Sequence, residues 1–179
     1  MDEVMIMFSD EARFGRINSI HKCWVRGERP TVYSQIVREY TYAYSAICPF
    51  DGTMDSLIIN GLNSECMGIF LNEVGSRHSD KTIVMFADQA PLSEAQYRHT
   101  SDILKMPTNV SLLPLPSHSP QLNPVENIWH ELREKWFYNH TFDSLSEVEG
   151  RLMEALRAFE NDNISVKSTT AFHWIESII

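Results

Sequence analysis

Three carboxylates stand out in this chain by what precedes each of them. Asp10 follows the apolar run Val4-Met5-Ile6-Met7-Phe8 and Ser9, and Asp88 follows Thr82-Ile83-Val84-Met85-Phe86-Ala87. Glu126 follows a proline-bounded loop, Ser119-Pro120-Gln121-Leu122-Asn123-Pro124-Val125. Carboxylates that face one another repel unless cations sit between them, and hard oxygen donors suit Mg²⁺ or Mn²⁺. If the three converge, the chemistry they would perform is two-metal phosphoryl transfer. Each also has a structural alternative. Asp10 and Asp88 would serve as turn residues at strand ends. Glu126 would close a capping box by reaching back to the backbone N–H of Asn123.

The elements that must position them can be read from spacing. Both apolar runs are short and rich in strand formers, which predicts strands delivering Asp10 and Asp88 at their carboxyl ends. In open α/β sheets that is where ligands gather. Glu11 is the rival to Asp10, but period-two alternation turns it to the opposite face. Asn123 suits an N-cap and Pro124 the first helical position, so Glu126 falls at the third. Along that helix Val125, Ile128, Trp129, Leu132 and Trp136 predict one packed face, with Glu126, His130 and Arg133 on the other. Those three would equally make a solvated face with an i, i+4 contact.

Further strands are expected over Ile20 to Arg26, Tyr42 to Cys48, Met54 to Asn60 and Val110 to Leu113, with a turn at Pro49-Phe50-Asp51-Gly52. Helices are expected from about Ser64 to Gly75, with Cys66, Ile69, Phe70 and Val74 on one face, and near Ser93 to Lys105. Ser144 and Glu147 form a second capping-box pair, opening a helix with Leu145, Val148, Leu152, Leu156 and Phe159 on one stripe. Phe172, Trp174 and Ile175 would dock on the domain or on a second copy. Strands first, then alternating helix and strand, predict an α/β domain with a mixed central sheet flanked by helices.

At 179 residues and 43% hydrophobic composition the chain can bury one good core. One domain is expected, with a core of about 4–138 and a C-terminal helical part of about 144–179. No run is long and apolar enough for a membrane span, and Met1-Asp2-Glu3 lacks the basic start of a signal peptide, so a cytoplasmic location is expected. Cys23, Cys48 and Cys66 include no Cys-x-x-Cys pair and read as reduced thiols. The histidines form no metal-spaced cluster, and His118 and His130 lie nearest the carboxylates in sequence. A formal net charge of −9 opposes binding to a phosphate backbone. Against that trend, Arg13, Arg16, Lys22, Arg26 and Arg29 lie within one short stretch whose single acid is Glu28, with Trp24 among them. A hairpin carrying them would position DNA phosphates beside Asp10. Alternatively, Arg26 and Arg29 solvate a turn around Gly27.

Taken together, Phe8-Ser9-Asp10-Glu11, Phe86-Ala87-Asp88-Gln89-Ala90 and Leu115-Pro116-x-x-Ser119-Pro120-x-Leu122-Asn123-Pro124-x-Glu126-x-x-Trp129 resemble a known family. They are similar to the transposases of IS630-type insertion sequences and of Tc1/mariner elements. Trp24-Val25-Arg26-Gly27-Glu28-Arg29 and the Asp51-Gly52 turn add to the match, which runs from about residue 4 to about residue 136. The 37 residues between Asp88 and Glu126 also fall in the family's range. This resemblance implies a ribonuclease H-like fold and a catalytic, metal-binding triad of Asp10, Asp88 and Glu126. It implies two Mg²⁺ or Mn²⁺ ions, cleavage and strand transfer on DNA, and a homodimer. Arg133 would contact DNA phosphate or steady Glu126.

Family members also carry a helix-turn-helix recognition module before the catalytic domain. Here the first strand begins within a few residues of Met1, so that module is expected on a separate polypeptide. After its second aspartate the family has Asn-Ala and a nearby histidine, where this chain has Gln89-Ala90-Pro91-Leu92 and then His99. Gln89 keeps the amide. Two alternatives therefore stand beside the transposase: a catalytically decayed remnant serving as an interaction or dimerisation module, and another ribonuclease H-like nuclease.

Overall fold

The computed structural model describes residues 3–28, 30–88, 106–116 and 119–176. The described strands form one five-stranded mixed sheet in the order β3-β2-β1-β4-β5. They are β1 (Glu3–Ile17), β2 (Ile36–Ile47), β3 (Met54–Ile59), β4 (Lys81–Ala87) and β5 (Val110–Pro114). The first three pair antiparallel, and β4 and β5 continue parallel to β1. Helix α1 (Ser64–Arg77) connects β3 to β4, while α2 (Val125–Trp136), α3 (Leu145–Glu160), α4 (Asn163–Thr170) and α5 (His173–Glu176) follow β5.

Alternation along the strands sorts the core into two layers. Met5, Met7, Tyr44, Ala46, Ile83 and Met85 point to one face, where they pack with Cys66, Met67, Phe70, Leu71 and Val74 of α1. Phe8, Ala12, Phe14, Ala43 and Ile47 point to the other, against Val125, Ile128, Trp129 and Leu132 of α2 and the α3 stripe. Each large apolar side chain so buried contributes about 1.5–3 kcal/mol. The α2 and α3 stripes thus match the expectation, with Trp136 and Leu145 only partly buried. On α1 one expected position fails, since Ile69 is exposed and Met67 and Leu71 take its place in the core. At the tail, Ile175 is buried and Trp174 meets Phe8 edge-on with ring centroids 6.0 Å apart, so the tail docks on the domain itself.

Two strand expectations need correction. The first strand does not end at Phe8 but runs on to Ile17, because Ser9 to Gly15 find partners along β2. Residues 20–26 form no strand. The β1–β2 hairpin closes where Asn18 N–H donates to Gln35 O at 3.3 Å, and beyond it Ile20, Trp24 and Val25 are exposed. The expected helix near Ser93 to Lys105 lies outside the described residues. Asp51-Gly52 does make the β2–β3 turn, with Gly52 at φ +79, where an added Cβ would lie 2.0 Å from Asn163 O. No helix among the described residues is long and apolar enough to cross a membrane.

Candidate active site

Sheet register places the two aspartates side by side. The last paired rung between β1 and β4 is Ser9 with Ala87, and Asp10 and Asp88 are the next residues of their chains. Asp10 is therefore not at the end of its strand but at the end of its parallel ladder, still paired to Ser45 of β2. It shares a face with Phe8, Ala12 and Phe14, the face that α2 covers. There the indole Nε1–H of Trp129 donates to Asp10 Oδ2 at 2.8 Å.

Asn123 joins the third carboxylate to the other two. Its side chain is fully buried, donates from Nδ2 to Ser9 O at 3.0 Å, and accepts from Val125 N–H at Oδ1 over 3.3 Å. It also hydrogen-bonds the Asp88 carboxylate. One amide thus fastens the start of α2 to the ends of β1 and β4. The helix begins one residue later than expected, with Pro124 as its N-cap and Glu126 at the second helical position. Asn123 Oδ1 still accepts from Val125 N–H, but the return arm of the box is absent, since Asn123 N–H donates to Pro120 O. Glu126 is left exposed at the helix start.

Charge accumulates where these residues meet. Burial pushes the Asp10 carboxyl up to about 8, and Glu11, Glu126 and Asp88 add to the rise against a backbone hydrogen bond from Glu11. Burial likewise raises Asp88, opposed by Asn123. Desolvation raises Glu126 too, with Asp88 adding to the rise and Arg133 holding it down. The three acids feel one another electrostatically, and their oxygens are donors suited to hard divalent cations. By donor type they fit such an ion. Among the described residues, however, no three His, Cys, Asp or Glu side chains already stand as a group able to hold one.

The expected DNA-contacting residues separate into three settings. Arg13 stacks over the Tyr40 ring at 4.5 Å and Arg133 over Phe14 at 5.2 Å, and the two line one pocket with Tyr138. Arg16 is tied inward instead, donating to Phe142 O at 2.9 Å and to Glu39 at 2.8 Å. Lys22, Trp24 and Arg26 are exposed in the loop over 18–35. That loop is held at its root by Asn139, whose N–H donates to Ser19 O and whose Oδ1 accepts from His21 N–H. His130 is exposed and lies 3.7 Å from Glu134, one turn away from Glu126. Gln89, His118 and Arg29 lie outside the described residues.

Sequence reasoning missed the polar role of Trp129, which it placed only in the core. The signal was its spacing, since a residue three positions after Glu126 lies one helical turn on and on the sheet side.

A family model described as DDE superfamily endonuclease matches residues 5–149. Uncharacterized protein y4pE/y4sA of Sinorhizobium fredii (strain NBRC 101917 / NGR234) is 34% identical over 110 residues, which span 61% of this chain and 77% of that protein. Among solved structures, the Mos1 strand transfer complex superposes with a TM-score of 0.61 at 17% identity, over 93% of this chain and 52% of that one. The Mos1 mariner paired end complex with Mn gives 0.58 at 18% identity, covering 93% and 53%. The corresponding complex with Mg gives 0.57 at 20% identity, again covering 93% and 53%. The chain thus spans about half the length of the transposase chains it resembles. The likeness bears out the expected ribonuclease H-like fold, a mixed sheet flanked by helices. By its match over residues 5–149, this chain belongs to the DDE superfamily endonuclease family.

Proposed function

We propose that this chain is the catalytic domain of a DNA transposase, cutting DNA strands at the ends of an element and joining them to a target. The observation that carries this reading is the register of the sheet. Asp10 and Asp88 follow the same last rung, and the amide of Asn123 ties the start of the Glu126 helix to both strand ends. The Mos1 complexes crystallised with Mn and with Mg support divalent cations, and their titles support DNA as the partner.

Asp10 and Asp88 would be the principal ligands of two Mg²⁺ or Mn²⁺ ions, with Glu126 completing the ligand set of the second ion. Bound cations would supply Lewis acidity at the attacking and leaving oxygens of an in-line displacement. Asp10 and Asp88, held on adjacent strands, fix the site's position. Glu126, open to solvent at the helix start, is placed to orient the attacking hydroxyl. Bound cations would offset the burial that raises all three carboxyls and the repulsion that adds to it at Asp10 and Glu126. Arg13, Lys22, Trp24, Arg26, Arg29 and Arg133 would hold DNA along the β1–β2 hairpin. Recognition of element ends by a helix-turn-helix part outside these residues, and pairing of two copies, complete the reading.

Calorimetric titration with Mn²⁺ tests it, comparing the wild type with Asp88→Asn. Binding that is lost in the variant supports the metal site. A folded wild type that binds no cation overturns it and favours the decayed remnant, to which the segment Gln89-Ala90-Pro91-Leu92 points. Preferred cleavage of an RNA–DNA hybrid would instead place the chain with other nucleases on this scaffold.

A further inference from the structure

Trp129 combines two settings that core tryptophans seldom share. Its ring is 1% exposed and packs edge-on against Phe14 with centroids 6.0 Å apart. Its N–H, which a buried indole must satisfy, finds neither a backbone carbonyl nor a neutral amide. The acceptor is Asp10, 119 residues away in sequence and the carboxylate most strongly raised by burial in this site.

We propose that Trp129 is a positioning residue for Asp10, which it holds ready for a divalent cation. This rests on the metal-dependent reading above. A carboxylate on a strand turns freely about its last torsion, where the energy wells are broad and two-fold. The indole N–H stops that rotation by engaging Oδ2, and beside it and the backbone hydrogen bond from Glu11 the carboxylate keeps its remaining lone pairs for the ion. Packing against Phe14 fixes the donor as well as the acceptor.

The choice of donor matters. An arginine or lysine at this place would form an ion pair and cancel much of the charge that attracts a cation. An indole carries no charge, so it orients the carboxylate and leaves that attraction in place. Trp129 also lies one turn from Glu126, so docking of α2 on the sheet brings the third acid and the device that aims the first in one step. Outer partners of this kind commonly govern metal affinity by 10–100-fold, on the order of what is expected here.

Trp129→Phe keeps an aromatic ring in the core and removes the N–H. Mn²⁺ affinity measured by calorimetry, well below the melting temperature, is expected to fall about 10-fold. Affinity equal to the wild type's would overturn the proposal while leaving the metal site standing. A wild type that binds no cation would overturn the metal reading itself, and the proposal with it. If the variant does not fold, the wild type decides the matter by ¹H–¹⁵N spectroscopy during a Mg²⁺ titration. The Trp129 indole signal should move along the binding curve while that of Trp24, fully exposed in the hairpin loop, stays in place. A Trp129 signal that does not respond at saturation would overturn the proposal.

Discussion

Strand β1 leads from one extreme of this molecule to the other. At Asp10 the chain is enclosed: Trp129 holds the carboxylate, Asn123 holds the neighbouring backbone, and the register of two parallel strands fixes the place. A few residues beyond the end of β1, the loop over 18–35 carries Lys22, Trp24 and Arg26 in open solvent. On the function proposed, the first region would serve position and the second attraction. Chemistry at a phosphate needs reacting atoms placed to a fraction of an ångström, which only packed and hydrogen-bonded groups provide. Recruiting a polyanion needs charge that can follow the ligand, and exposed cations suffice. In a protein with a net charge of −9, a local cluster of exposed cations such as Lys22 and Arg26 stands against the overall repulsion of a polyanion.

Neutralising Asp10 makes the largest break in that comparison. Its carboxyl rises from 3.8 to about 8 on folding, so between those pH values the folded state holds a proton that the unfolded state has lost. The metal-free fold therefore loses stability as pH climbs from about 4 to about 8, and no further loss from this group follows above that. Four pH units at ~1.36 kcal/mol each set a ceiling of about 5 kcal/mol. Asp10→Asn can still accept the Trp129 N–H and removes the charge. Thermal melts in EDTA should show the variant more stable than the wild type at pH 8 and equal to it near pH 4, while Mn²⁺ binding is lost. Parallel pH profiles for the two proteins would mean that Asp10 is not strained by its surroundings.

Asn123 tests whether the enclosed region is one unit. Asn123→Ala leaves Ser9 O and Val125 N–H buried without their partner and takes a hydrogen bond from Asp88. A loss of about 2 kcal/mol is expected, lowering Tm by roughly 4–8 °C. Mn²⁺ affinity should fall with it by about 10-fold, because two carboxylates lose their common anchor. A fall in Tm with unchanged Mn²⁺ affinity would show Asn123 to be a fold residue alone.

The two regions also differ in how far the sequence disclosed them. The face of Asp10 followed from period-two alternation, a local rule that needs no knowledge of the partner strand. The apolar stripes of α2 and α3 were legible for the same reason. The strand expected over residues 20–26 failed because β-propensity describes a fit to a pleated, half-buried surface, and among the described residues none covers Ile20, Trp24 or Val25. Ile69 failed similarly, since several apolar residues on α1 offered alternative stripes and only the sheet chooses among them. The bond from Trp129 to Asp10 spans 119 residues and could be seen only once α2 was laid on β1. Glu126 was ambiguous between cap and catalyst until Asn123 N–H was found bonded to Pro120 O, which leaves the Glu126 carboxylate outside the cap.

The smallest effect on the fold is expected at the open end. Lys22 and Arg26 are exposed in a loop with no strand or helix of its own, so Lys22→Ala with Arg26→Ala should change stability by no more than about 0.5 kcal/mol. Mn²⁺ affinity should not change either, since neither cation is among the charges that shift the three acids. Binding to duplex DNA is where they should register. Each phosphate contact releases counterions and adds about 0.9 to the slope of log K against log salt, so removing two should flatten that slope by ~1.8. The affinity lost should shrink as salt rises, because a screened contact contributes less in both proteins. An unchanged slope would assign these cations to solvation of the turn around Gly27, and would leave Arg13 and Arg133, which line one pocket on the folded body, as the groups that meet DNA.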